Sequence, residues 1–220
     1  MRFLGEKLAA RGLRAVGPTL RGHGGTPDEL ATTTYRDWIA GADAALSKLR
    51  RECDRVAVAG LSLGGLIALD VAKRNPDLAA LVCLAVPLWL PRATTVGIHA
   101  ASILVKRLPK IGGSDIRDSR AKKVFPTFSA FPIAPLKSLM DLQARIRPQI
   151  PSIKIPTLVM HADQDHVAPA ACARELYERL GCPKVDKRLV RLPESYHIIT
   201  VDVEREIVAR EVGDFIKERM

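Results

Sequence analysis

The chain lacks several features that would place it in common classes of protein. Its longest apolar run, Leu81 to Leu90, is interrupted by Pro87 and is too short to cross a bilayer. Aromatic residues make up only 5% of the 220 residues, and they do not alternate with the basic ones as a stacking platform for bases requires. We therefore expect no stable membrane insertion and no nucleic-acid partner.

Cysteine is also scarce and scattered. The four cysteines, at positions 53, 83, 172 and 182, form no C-x-x-C pair of the kind that indicates a zinc site. Residues 1–7 lack the uninterrupted apolar segment of a secretory signal peptide. Together these features predict reduced structural thiols, no metal site and a cytoplasmic location.

A serine lies in a glycine-rich turn between a short apolar segment and a helix-forming segment. The turn runs from Gly60 to Gly65 and follows the apolar residues 56–59. The pattern G-x-S-x-G around Ser62 predicts a sharp strand-to-helix turn in which glycines at positions 60 and 64 permit strained backbone angles and the hydroxyl is exposed. The alternative is an ordinary glycine-rich turn, but the strand and the helix that flank it favour a nucleophile.

A serine nucleophile requires a histidine to take its proton and a carboxylate to orient that histidine. Two aspartates compete for the acid's role in the loop after the predicted strand at 155–160. We assign Asp165, which lies deeper in the loop, just before Val167 and a helix that begins at Pro169. Asp163 is interpreted as a residue that shapes or caps the turn. The alternative for Asp165 is an N-cap of the following helix.

The candidate base is His197, which follows the last predicted strand and so lies at the carboxyl end of the sheet. Where a serine nucleophile lies in a G-x-S-x-G turn between a strand and a helix, the order along the chain is serine, acid, histidine. The other histidines fit less well: His99 lies in an insertion, His161 and His166 flank the acid loop, and His23 lies in a separate glycine-rich loop.

Helical and strand patterns alternate along the chain, which predicts an α/β fold with a mostly parallel sheet and helices on both faces. The helices are expected over residues 2–11, 35–51, the segment after Ser62, 169–180 and about 203–219. The strands are expected over residues 13–17, 55–59, 79–85, 155–160 and 185–191.

Residues 88–147 break this alternation and are predicted to form a helical cap insertion, with residues 1–87 and 148–220 as the core. The insertion carries 11 lysines and arginines against three aspartates, and therefore most of the net charge of +10. A basic cap can attract anionic lipid surfaces or acidic acyl substrates. The alternative is a solvated helical surface without a partner.

Four segments together resemble the α/β-hydrolase superfamily, and more closely its bacterial carboxylesterases related to monoacylglycerol lipases. They are residues 60–65, Leu20-Arg21-Gly22-His23-Gly24, Ala162-Asp-Gln-Asp165 and Ser195-Tyr-His-Ile-Ile-Thr-Val-Asp202. The resemblance implies hydrolysis of carboxylic esters, either short to medium acyl esters or monoacylglycerols. It also implies a cap over an acyl pocket and no cofactor.

The resemblance also assigns roles to residues of this chain: Ser62 matches the nucleophile, Asp165 the acid, His197 the base and Leu63 the donor of one oxyanion amide. Trp89 and Leu90, at the cap hinge, are candidate substrate-binding residues. Further apolar residues of the same region are Leu88, Ile98, Phe125, Phe128 and Phe131, and packing of the cap onto the core explains the whole set equally well. Thioester hydrolysis, other hydrolase chemistry and a catalytically weak fragment or binding module remain alternatives.

The resemblance departs from the family pattern at the beginning of the chain. Family members carry a strand and a His-Gly-x-x-Gly-like loop before the helix that residues 1–12 match, and that loop supplies the second oxyanion amide. We expect the working protein to have an N-terminal extension of a few tens of residues that contains both. The alternative source of that amide is His23-Gly24-Gly25, although this segment matches a structural loop of the family.

Overall fold

The computed structural model describes residues 1–109, 113–126, 128 and 130–220. Its strands are β1 (Ala57–Leu61), β2 (Ala80–Leu84), β3 (Arg107–Pro109), β4 (Ala130–Pro132), β5 (Thr157–Ala162) and β6 (Lys187–Leu192). Its α-helices are α1 (Arg2–Ala10), α2 (Pro27–Ala31), α3 (Tyr35–Leu49), α4 (Leu63–Arg74), α5 (Arg92–Leu104), α6 (Ser119–Val124), α7 (Ile133–Ile146), α8 (Ala171–Arg179) and α9 (Arg205–Lys217). Short 3₁₀ turns cover Arg147–Ser152 and Lys184–Asp186.

Four strands form a parallel sheet in the order β1-β2-β5-β6. The two central strands, β2 and β5, are buried along their whole length, as continuous apolar runs covered on both faces should be. Because all four strands run in the same direction, their carboxyl ends meet at one edge of the sheet. The segments that follow β1, β5 and β6 therefore lie close together there.

Helices cover both faces of the sheet, and the predicted α/β fold class is confirmed. One face packs against α3, α4, α7 and α8, with buried side chains that include Trp38, Leu69 and Leu142. The other face packs against α1 and α9, with buried side chains that include Leu4 and Phe215. The apolar stripes read from the sequence thus point toward the sheet in each of these helices.

The predicted strand over residues 13–17 is wrong. The segment forms no ladder within the described residues, and Val16 is 47% exposed. Its apolar residues suit a strand, but strand structure requires a hydrogen-bonded neighbour, and β1 pairs on one side only, with β2. The other predicted strands and helices are present, with ends displaced by a few residues.

Between β2 and β5 the chain forms α5, β3, α6, β4 and α7. The antiparallel pair of β3 and β4, with Arg107 opposite Pro132, was not predicted, since a three-residue strand leaves little periodicity to detect. Leu142 and Ile146 of α7 are fully buried in the same core as α4. The boundaries of the cap at residues 88 and 147 stay a prediction. Lys110, one of its basic residues, lies outside the described residues.

The basic residues of this insertion divide into two groups. Arg107, Arg117, Arg145 and Arg147 each form an ion pair with a carboxylate outside the insertion: Asp28, Glu194, Asp70 and Glu175, respectively. In the part of the chain that the structure describes, the other basic residues of the insertion form no ion pair; they are Arg92, Lys106, Arg120, Lys137 and, in α6, Lys122 and Lys123. Part of the positive charge therefore docks the insertion on the core. Within the described ranges, no helix has the length and apolarity needed to cross a membrane.

Candidate active site

Ser62 lies at the junction between β1 and α4, in a strained backbone conformation. Its φ of 54° and ψ of −119° are in a region that side-chain-bearing residues rarely adopt. Its amide donates to the Leu84 carbonyl at 2.8 Å, which continues the β1–β2 ladder up to the turn itself. The strain is thus held by the sheet on one side and by the helix on the other, and it turns the serine out of the strand.

The two glycines of the motif do not serve the same purpose. A Cβ on Gly60 would lie 2.0 Å from the carbonyl oxygen of Gly64, because α4 folds back across the end of β1. A Cβ on Gly64 would meet no atom within 4 Å. The expectation that both glycines permit strained angles is corrected here, because the strained residue is Ser62 and only Gly60 is required by close contact.

Three side chains form a continuous hydrogen-bonded chain at the carboxyl edge of the sheet. His197 Nε2 lies 2.8 Å from Ser62 Oγ, and His197 Nδ1 lies 2.7 Å from Asp165 Oδ2. An ionised carboxylate can only accept a hydrogen bond, so Nδ1 carries the proton and Nε2 of a neutral imidazole accepts from the Ser62 hydroxyl. His197 is 3% exposed. The arrangement can therefore move a proton from the serine to a shielded imidazole.

Asp165 is held by four donors. Its Oδ1 accepts from the amides of Val167 and Ala168 at 2.8 and 2.7 Å, and its Oδ2 accepts from His197 and from His161 Nε2, the latter at 3.1 Å. Burial raises the pKa of this carboxyl group, but the hydrogen bonds from His161 and His197 outweigh it, so the pKa lies well below its usual range. Asp165 thus caps its own loop with one oxygen and orients His197 with the other.

The contact of His161 with this carboxylate was missed from the sequence. His161 lies in β5, is 2% exposed, and its Nε2 also lies 3.0 Å from the Ala168 carbonyl. Its position four residues before Asp165, at the end of a buried strand, was the available signal. A buried histidine in a mostly apolar strand needs a polar partner, and the loop that follows this strand carries two carboxylates, Asp163 and Asp165.

The other candidates take different positions. The side chain of Asp163 pairs with Arg191 at 2.6 Å, and no described backbone amide donates to it, so the expected cap is absent within the described residues. His23 packs edge-on against Trp38, with ring centroids 5.5 Å apart, and burial lowers its pKa despite a weak bond to the Arg21 carbonyl. His99 is exposed on α5.

Leu63 is the first residue of α4, so its amide has no acceptor inside the helix and lies at the positive end of the helix dipole. Its role as an oxyanion donor stays a prediction. At the cap hinge, Trp89 Nε1 donates to Glu175 Oε2 at 3.0 Å, and Trp89 packs against the core. Leu90 is half-buried. Packing therefore accounts for Trp89, while its contact with substrate also stays a prediction.

Two clefts lie near these elements without reaching the serine. One, of about 250 Å³, lies behind the acid loop and is lined by His161 and Arg174. The other, of about 340 Å³, lies beside α3 and is lined by Tyr35 and Arg74. Ser62 lines neither cleft, so neither of these two clefts is the predicted acyl pocket.

Comparison with known proteins identifies the family. The profile of the family described as serine aminopeptidase, S33, matches residues 2–204. This chain belongs to that family of α/β-hydrolases. The hydrolase is 30% identical over 215 residues to the thermostable monoacylglycerol lipase of Bacillus sp. (strain H-257), covering 98% of this chain and 84% of that protein. It is 29% identical over 219 residues to a carboxylesterase of Bacillus subtilis (strain 168), covering 99% of this chain and 87% of that protein.

A solved structure agrees with these relatives. The structure described under LipS and LipT, two metagenome-derived lipolytic enzymes, matches with a TM-score of 0.92 at 30% identity and covers 99% of this chain and 87% of that one. The resemblance to bacterial carboxylesterases and monoacylglycerol lipases is thereby confirmed. The hydrolase is an enzyme of the esterase and lipase group.

Proposed function

We propose that the hydrolase cleaves carboxylic esters through an acyl-serine intermediate. The observation that carries this proposal is the hydrogen-bonded chain from Ser62 through His197 to Asp165. Ser62 Oγ attacks the ester carbonyl carbon while its proton passes to His197 Nε2, and Asp165 stabilises the imidazolium that forms. The amide of Leu63 donates to the oxyanion of the tetrahedral intermediate.

The intermediate then collapses in a way that balances protons. The carbonyl re-forms, the bond to the leaving alcohol breaks, and His197 returns its proton to that alcohol's oxygen. A water molecule attacks the acyl-serine by the same route, giving its proton to His197, which passes it back to Ser62 Oγ as the carboxylic acid leaves. No other reactant is needed.

The substrates we propose are short to medium acyl esters or monoacylglycerols, with Trp89 and Leu90 in the wall of the acyl pocket. Support comes from the names of the relatives, one a monoacylglycerol lipase and one a carboxylesterase. The enzyme's four free cysteines, three of them buried, fit the reducing environment of the cytoplasm, where we propose that it acts.

We further propose that the cap contacts lipid surfaces. The end of α5 exposes Ile103 and Leu104 by 84% and 83%, and α6 ends in Val124, which is 81% exposed, beside Lys122 and Lys123. Exposed aliphatic side chains together with unpaired lysines suit a surface of anionic lipid. Sedimentation with phosphatidylglycerol vesicles should exceed that with phosphatidylcholine vesicles, and the double variant Ile103→Ser, Leu104→Ser should lose binding.

The reaction is tested with a fluorophosphonate probe and a series of p-nitrophenyl esters of increasing acyl length. We expect labelling of Ser62 and turnover, both abolished in Ser62→Ala. Ser102→Ala is a matched control, because Ser102 lies on α5 and its hydroxyl donates only to the His99 carbonyl of its own helix. Labelling that persists in Ser62→Ala would place the nucleophile elsewhere.

The same assay separates the alternatives. A thioester substrate that is turned over faster than its oxygen ester would favour a thioesterase. Because the family description names an aminopeptidase, an aminoacyl p-nitroanilide tests amide cleavage. A folded sample that neither labels nor turns over any of these substrates would favour a binding module.

A further inference from the structure

One carboxylate from the insertion reaches both loops that carry the acid and the base. Asp115 lies between β3 and α6, and its side chain is 16% exposed. Its Oδ2 lies 3.1 Å from the amide of His166 and 3.1 Å from the amide of His197, and its Oδ1 lies 2.8 Å from His166 Nδ1. Its own carbonyl accepts from the amide of Ile198 at 3.2 Å.

From this geometry we propose that Asp115 is a positioning residue for the active site. A single oxygen atom of Asp115 joins the residue after Asp165 to the backbone of His197. The inference deepens the proposed function and rests on it. It gives the insertion a task beyond covering a pocket, namely to set the spacing between the acid loop and the base loop.

The physical argument begins with the two backbone amides. The loops after β5 and β6 have no ladder to pair these amides. The amide of His197 is partly buried, whereas His166 lies at the surface. Leaving a buried amide unpaired costs about 1–3 kcal/mol. A carboxylate oxygen accepts both amides at once and therefore ties the two loops to one point. Without this oxygen, each loop can pair its amide separately, and the insertion no longer fixes the distance between Asp165 and His197.

A second carboxylate holds the Asp115 loop in place. Asp202, which is fully buried, accepts from the amides of Arg117 and Asp118 in that loop and from the amide of Tyr196 beside the base. Ion pairs of Arg117 with Glu194 and of Asp118 with Arg205 dock the same loop, and among these contacts only that of Asp115 reaches His197. The His166 ring also packs edge-on against Tyr196, with centroids 4.6 Å apart, and closes the cluster from the outer side.

No described contact joins Asp115 to Ser62 or to the His197 ring. We therefore expect its loss to reduce kcat with little effect on KM, because ground-state binding of substrate does not depend on the alignment of His197. A misplacement of about 1 Å in a catalytic group costs on the order of 100-fold in rate. Loss of the Asp115 carboxylate should accordingly lower both kcat and the rate of fluorophosphonate labelling by about 10- to 100-fold.

The experiment compares Asp115→Ala with Asp115→Asn. The alanine variant has no acceptor and should show the full decrease. The asparagine variant keeps one oxygen for both amides, and its NH₂ group can donate to Nδ1 of a neutral His166 ring. Its kcat and labelling rate should therefore stay within about threefold of wild type. Equal rates in Asp115→Ala and wild type, or an asparagine variant as slow as the alanine variant, would overturn the inference.

Asp118→Ala serves as the matched control. Asp118 lies in the same loop, but its side chain accepts from Arg120, Ala121 and Arg205, none of which belongs to the acid or base loop. We expect it to lower the melting temperature while the labelling rate changes less than about threefold. A control that slows labelling as much as Asp115→Ala would show that docking of the loop in general, and not the shared oxygen, is responsible.

Hydrogen exchange in the wild-type protein tests the contact without any variant or turnover. The amides of His166 and His197 should both exchange more slowly than those of an unstructured loop, since both donate to one acceptor, and the partly buried His197 amide should be the more protected. Exchange of the His197 amide at the rate of an unstructured loop would refute the inference even if the variants do not fold. If wild-type Ser62 is not labelled while both amides are protected, the proposed function fails and the contact stands.

Discussion

Alanine at Gly60 and alanine at Gly64 separate two glycines that the sequence motif treats alike. At Gly60 the new Cβ would lie 2.0 Å from a backbone oxygen, where real Cβ contacts stay beyond 3.0 Å. The backbone must therefore move by about 1 Å, and a carbonyl in the first turn of α4 cannot rotate away as a side chain could. At Gly64 the Cβ enters open space, and alanine favours the helix over glycine.

The expected changes in the free energy of unfolding differ in sign between the two variants. Overpacking against backbone costs about 3 kcal/mol, a large part of the 5–15 kcal/mol typical of a folded domain. At this chain length, that loss corresponds to a decrease in melting temperature of roughly 6–12 °C. Gly64→Ala should leave the free energy of unfolding unchanged or raise it by up to about 1 kcal/mol.

Urea unfolding followed by circular dichroism measures both variants against wild type. Fluorophosphonate labelling on the same samples then reports whether Ser62 has moved, and Gly60→Ala should label at least about 10-fold more slowly. The reasoning is refuted if Gly60→Ala unfolds at the wild-type urea concentration, or if both glycine variants are destabilised to the same extent.

Three further predictions follow from the described contacts. His161→Leu removes one donor from Asp165, and kcat should decrease about 10-fold at unchanged KM in steady-state assays, because His197 keeps its partner but the acid is less restrained. Because the pKa of Asp165 is lowered in the folded protein, its ionised carboxylate stabilises the fold at pH values above the ordinary aspartate pKa of about 4. This stabilisation is lost as the pH falls through the pKa of the folded state. The difference in unfolding free energy between wild type and Asp165→Asn should therefore narrow from pH 5 to pH 2 in urea titrations. Asp70→Asn breaks a buried pair with two arginines and should cost about 2–3 kcal/mol, against under about 1 kcal/mol for the exposed control Asp77→Asn, by thermal unfolding.

Much of the site was predictable because its features are local. A strand, a tight turn and a helix within 20 residues identify the strand-to-helix turn at Ser62, and the carboxyl ends of parallel strands must meet at one edge of the sheet. Asp165 and His197 could thus be selected by their positions after predicted strands. The structure brings both residues together with Ser62 in one hydrogen-bonded chain.

The failures share a different cause. Residues 13–17 have a strand-like composition, but a strand exists only where a neighbour offers hydrogen bonds. The pairing of Asp163 with Arg191 and the contact of His161 with Asp165 depend on how loops fold over the sheet edge, which periodicity does not encode.

By itself, then, the sequence determined the α/β architecture and the tight turn at Ser62, and it placed Asp165 and His197 after strands of the same sheet. Each of these depends on short-range patterns and on the geometry of parallel strands. Only the tertiary structure decided which distant side chains support them. Asp115 lies 82 residues from His197 along the chain, and no pattern near either residue indicates the other. Their contact exists because the insertion is docked on the core, and docking is a property of the packed molecule.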